Sequence, residues 1–222
     1  MPKVKLPRKS TNIDMTAMCD VAFLLLSFFI LTTKFKPAEA LTVVTPNSVS
    51  AKIAPQKDAV LITIDKGGKV YFSVSDVNSA EKKTILETVN SSRNLGLTPN
   101  EIGAFAKNPT GYIGVPFSQL KSYLGKSAEE LKSVVLPGIP TLDTLNNELT
   151  EWMRAAQTAF AGTKMELLVK GDNDAKYPAF KSVIDAFKKN DLLKFQMITN
   201  PEGVPPGTEL YKKNLNPAPA AP

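Results

Sequence analysis

The chain has 222 residues, 43% of them hydrophobic, and a formal net charge of +6, which suits one modest domain with extras or two small ones. It has no histidine and one cysteine, Cys19, which excludes Ser-His-Asp and Cys-His catalysis, the common zinc sites and an internal disulfide. Lysines and arginines are spread along the whole chain with no interleaved aromatic stripe, so the charge reads as solvated surface and no nucleic-acid partner is expected.

The chain opens on a basic cluster, Lys3, Lys5, Arg8 and Lys9, within residues 1–12. "STNIDMT" then reads as a helix start, with Thr11 as N-cap and Asp14 three residues on, where an acid also suits the helix dipole. Between residues 13 and 33 the only charges are Asp14 and Asp20. An apolar run of about 20 residues crosses a bilayer core of about 30 Å, so this is a candidate transmembrane helix. Lys34 and Lys36 mark its far edge and Pro37 stops it. The excess of basic residues before the run places the N-terminus in the cytoplasm and the rest of the chain across the membrane. The rival reading is a cleaved export signal, with an apolar centre at residues 21–31 and a small-residue site at Ala38-Glu39-Ala40. Cleavage after Ala40 would release a periplasmic scaffold or binding protein.

Asp20 is the unusual residue of this run. A carboxylate at the centre of a bilayer costs roughly 2.5–3.5 kcal/mol, and aspartate is too short to snorkel well. It lies about 10 Å inside the expected helix start. Hydrocarbon surroundings favour the neutral form of an acid, so a carboxyl at this depth is suited to gaining and losing a proton. Helical spacing puts Thr16, Ser27 and Leu31 on the same face, with Phe23 and Leu24 between. Such a polar stripe serves either as packing glue between helices or, with an acid in it, as a path for protons.

Residues 34–58 carry Thr, Ser, Val and Pro without a helical period and read as an extended linker. "AVLITIDKGGKVYFSV" gives two β-rich runs around Gly67-Gly68, a hairpin in which both glycines supply positive φ. No phosphate-binding glycine motif is present, and no nucleophile is paired with a base, so neither enzyme activity, a cofactor nor a metal is expected. Residues 80–91 form an amphipathic helix through Ile85, Leu86 and Val89. "TPNE" at 98–101 and "SAEE" at 127–130 are capping boxes, and the block at about 95–140 reads as a helical insert. Residues 141–160 carry the strongest helical stripe: Leu145, Leu149, Trp152, Met153, Ala156 and Phe160. Trp152 belongs to that stripe and is assigned to the core rather than to a partner anchor.

Residues 165–169 read as a strand and Gly171-Asp172 as a turn, with Asp172 and Asp174 in turn and N-cap roles rather than as metal ligands. Tyr177, Phe180, Ile184 and Phe187 line one face of a helix, and residues 192–199 hold the last strand. Strand, helix and strand in this order form a crossover onto a shared sheet. The Pro/Ala-rich stretch 201–222 is a tail. The expected fold is α+β: one N-terminal transmembrane helix (13–33), the linker, and a domain (59–200) of helices packed on a small sheet built from the hairpin and the βαβ unit.

"IDMTAMCDVAFLLLSFFILTT" resembles the transmembrane signature of the ExbD/TolR family, with Thr16 and the Asp20-Val21 pair on matching places. Asp14 stands where that family often has Asn, and Ala17 where it often has Pro or Ser. "LTVVTPNS", "AVLITIDKGGKVYFS" and "MELLVKGDNDAKYPAFKSVIDAFKKNDLLKFQMIT" look like its extended post-membrane segment, first hairpin and closing strand–helix–strand unit, while the block between is longer than usual. The resemblance implies a single-pass inner-membrane protein with a periplasmic domain. It would be a homodimer through its helix and its domain, enclosed by an ExbB-type multi-span ring. Protons would be the coupling ion, carried by Asp20 with Thr16 and Ser27 beside it. A TonB-type transducer would relay force to outer-membrane transporters, and a TolR-like role in envelope maintenance is the close variant.

Overall fold

The computed structural model describes residues 15–32, 41–50, 52–107, 111–127, 130–131, 134–143, 146–209 and 211. The chain divides into two units, Met1–Ala38 and Glu39–Pro222. Several expected features lie outside the described residues: the Thr11–Asp14 cap, the basic cluster, the helix ends at 13 and 33, Lys34 to Ala40, Leu145, and the tail from 212 onward.

In the first unit the described residues form one helix, α1 (Met15–Thr32). The second unit is built on a sheet. A short strand, β1 (Asn47–Ser48), precedes the hairpin β2 (Ala59–Ile64) and β3 (Val70–Val74). Helices α2 (Ser79–Arg93), α3 (Pro99–Ala106), α4 (Phe117–Leu124) and α5 (Glu148–Ala159) follow. The chain closes with β4 (Glu166–Gly171), α6 (Tyr177–Lys189), β5 (Gln196–Ile198) and β6 (Asn200–Pro201). The main sheet has the order β3-β2-β4-β5, with β2 antiparallel to β3 and parallel to β4, and β4 parallel to β5. This is the α+β architecture expected from the sequence.

Alternation along the strands decides which side is core. Val60, Ile62 and Ile64 of β2, Val70 and Phe72 of β3, and Leu167 and Val169 of β4 share one core with Ile85, Leu86, Val89, Leu149, Met153, Val183 and Phe187 from the helices. Each such side chain contributes about 1.5–3 kcal/mol by leaving water. Trp152 is fully buried at the centre, its ring 5.4 Å from that of Phe72 and 5.5 Å from that of Phe117. The assignment of Trp152 to the core is therefore borne out, and the rest of the described stripe, Leu149, Met153, Ala156 and Phe160, is buried with it.

Several expectations are corrected. In the hairpin only Gly68 has positive φ, at 79°; Gly67 does not need it, because Asp65 Oδ1 accepts from Lys69 N at 2.8 Å and closes the turn. The strong helix begins at Glu148 rather than at 141, because Asn147 caps it by accepting from Leu149 N at 3.1 Å and Thr141 is buried in irregular chain. The strand expected at 165–169 runs on through Gly171. On α6 the buried face is Ala179, Ser182, Val183, Ala186 and Phe187, and Tyr177 is 72% exposed. Small residues let that helix approach closely, as the 3.3 Å gap between a Cβ built on Gly68 and Ala179 Cβ indicates, so burial centres on them and Phe180 and Ile184 fall to the flank. Within 192–199 the strand β5 takes three residues: Asp191 takes φ 55°, Leu192 N returns to Phe187 O, and residues 192–195 serve as the return from the helix.

The insert contains α3 and α4, and its first capping box is complete: Thr98 Oγ1 accepts from Glu101 N and Thr98 N donates to Glu101 Oε2. The bonds of the second box, between Ser127 and Glu130, are also present. Extended stretches of the insert bridge to the free side of β3, at Phe72–Ile113 and Val70–Ile139.

Candidate functional site

Three residues of the apolar helix were expected to form the site: Asp20, Thr16 and Ser27. All three lie on α1, which has 18 residues, a mean hydropathy of 2.0 and no buried residue. At 1.5 Å per residue it spans about 27 Å, long and apolar enough to cross a bilayer. Phe23, Leu24, Leu25, Phe28, Phe29 and Ile30 are each more than half exposed within the unit, an apolar surface suited to hydrocarbon or partner helices. At about 100° per residue, Thr16, Asp20 and Ser27 fall within about 40° of one another, so the polar residues form one stripe.

The stripe is not a continuous hydrogen-bonded chain. Asp20 and Ser27 are seven residues, about 10 Å, apart along the axis. Ser27 donates its hydroxyl hydrogen to Phe23 O at 2.6 Å, with Leu24 O at 3.2 Å, so the open capacity of this hydroxyl is as an acceptor. Thr32 likewise bonds back to Phe28 O at 2.8 Å. Among the described residues, Asp20 is the one member of this stripe with a carboxyl side chain.

In the second unit the sequence reading missed a feature that fixes how the chain enters the domain. Residues expected as a linker are extended and docked. Thr45 is buried, donates to Asn200 Oδ1 at 2.8 Å, and its carbonyl accepts from Asn200 Nδ2 at 3.1 Å. β1 then pairs in parallel with β6, so Pro201, the first residue of the expected tail, belongs to a strand. Asp172 completes the clasp by accepting from Val44 N at 3.0 Å and from Asp174 N at 2.9 Å. Those two N–H groups, Asp174 first, hold its carboxyl below the usual aspartate range. The turn role expected for Asp172 is thus present. Asp174 is no N-cap: it pairs with Lys66 at 2.8 Å, and the N-cap position of α6 is Lys176, which makes no side-chain cap bond. The only sequence signal for the clasp was a Thr, Pro and Asn cluster that reads equally as loop.

Residues 7–202 of the chain match the family described as "Biopolymer transport protein ExbD/TolR". Over 97 residues, 44% of this chain and 70% of the relative, it is 29% identical to the "Biopolymer transport protein ExbD" of Aquifex aeolicus (strain VF5). No solved structure matches.

Proposed function

The chain belongs to the ExbD/TolR family, and on that premise we propose that it is the single-span subunit of an inner-membrane motor driven by the proton motive force. The observation that carries this reading is one carboxyl, Asp20, set on the polar face of an otherwise apolar helix. Protons crossing from periplasm to cytoplasm neutralise and then recharge that group. The neutral form tolerates an apolar surface of an ExbB-type multi-span ring, and the charged form requires a polar one. Each cycle therefore shifts a pair of these helices relative to the ring. Moving one charge across the membrane releases about 2.3 kcal/mol per 100 mV, and one pH unit adds about 1.4 kcal/mol. The N-terminus lies in the cytoplasm and the domain in the periplasm, where it dimerises and passes force to a TonB-type transducer that opens outer-membrane transporters.

The test is Asp20→Asn in cells. The complex with the ring should assemble in normal amount while transporter-dependent uptake is lost; normal uptake together with an intact envelope would refute the proton-carrying role. Thr16→Ala should lower uptake less, because a threonine hydroxyl only shapes hydration beside the acid. Intact uptake together with leakage of periplasmic protein would assign the chain to the TolR-like role in envelope maintenance.

A further inference from the structure

The insert has no assigned role, and its contacts with β3 suggest one. β3 is an outer strand of the sheet, and its sequence, Val-Tyr-Phe-Ser-Val, is rich in β-formers with no charge and no proline. A bare edge of that composition is a template for pairing with another chain. In this protein the edge is covered. Phe72 N donates to Ile113 O at 2.8 Å, Ile113 N returns to Phe72 O at 2.7 Å, and Ile139 N donates to Val70 O at 2.8 Å. The two covering stretches are tied to each other, Gly138 N donating to Gly114 O at 2.7 Å.

The cover is fitted to the strand. Gly114 lies so close to Tyr71 that a Cβ would enter its ring, and Gly138, at φ 95°, lies where a Cβ would meet Lys69 Cβ at 2.9 Å. The cover also does not offer a fresh edge. Pro137 and Pro140 are both exposed and have no N–H to donate, so a ladder cannot continue outward past them.

We propose that residues 111–115 and 134–140 guard the β3 edge against pairing with β3 of a second copy of this chain. The guard makes the domain one-sided: association through this edge is closed while the rest of the surface stays available. This inference does not depend on how protons are used, because it concerns strand pairing alone.

The test uses the full chain in detergent. Ile113→Pro removes the donor to Phe72 O, and Gly114→Ala displaces the same stretch by steric pressure without removing a donor. Near-UV circular dichroism of Trp152, which stacks on Phe72, marks the variants that keep the core. In those variants the Phe72 amide should exchange more than tenfold faster at low concentration. On raising the concentration, sedimentation velocity should show a doubling of the wild-type mass, and protection at Phe72 should return as it does. An exposed Phe72 amide with the mass unchanged over the same range overturns the proposal, and so does a doubling without recovered protection.

Discussion

Replacing Asn200 with alanine should loosen the clasp between the entering chain and the domain without unfolding the core. The side chain makes two hydrogen bonds, both to Thr45, which is 6% exposed. Truncation removes both bonds and strands a buried hydroxyl and a carbonyl. At about 0.5–1.5 kcal/mol for each bond, the docked state should lose roughly 1–3 kcal/mol relative to a locally opened one. That corresponds to roughly 5- to 150-fold faster exchange of amides released by the opening. The reporters are Asn173 N, which donates to Val44 O at 2.8 Å, and Glu202 N, which donates to Ser48 O at 2.9 Å. Amide hydrogen exchange on the full chain in detergent should show both accelerated, with the Phe72 amide unchanged as the internal control. Wild-type rates at Asn173 and Glu202 would show that the Thr45–Asn200 pair does not hold the clasp. Equal acceleration at Phe72 would show that the clasp and the core open as one unit.

Three further outcomes are expected. Burial pushes the Glu148 carboxyl above its ordinary 4.5, against the opposing pull of Phe117 N–H and Arg93. Charging it in the folded state is therefore costly, so its contribution is most favourable below that value and is lost as pH rises through the folded pKa. Glu148→Gln should remove this fall and leave the variant at least as stable as wild type at neutral pH, measured by urea denaturation across the range. Asp172 has the opposite sign: its carboxyl is held below 3.8, so its stabilisation is present above that value and disappears as pH falls through the lowered pKa. Asp172→Asn should flatten the acid-side loss of protection at the Val44 amide. Trp152→Ala should cost about 3–5 kcal/mol in chemical denaturation, the range for emptying a large aromatic site in a core.

The features legible in the sequence were those fixed by local chemistry. A predominantly apolar stretch needs only its own length to be a candidate membrane-spanning helix, and an acid deep within it is conspicuous without any knowledge of neighbours. The capping box at Thr98 and Glu101 closes within four residues, so its bonds are specified before the chain folds. Trp152 was placed in the core because a helical stripe leaves a large indole no other economical position. Tertiary structure decided what depends on partners far along the chain. Asn200 reaches Thr45 across a separation of 155 residues, and no local pattern announces such a pair. Phe187 stayed in the buried face of α6, but the rest of that face moved from Tyr177, Phe180 and Ile184 to Ala179, Ser182, Val183 and Ala186, because close approach to other elements, not hydrophobicity alone, selects what is covered. The insert's place on the β3 edge likewise follows from backbone groups left open by the sheet order, and backbone groups are the same in every residue but proline.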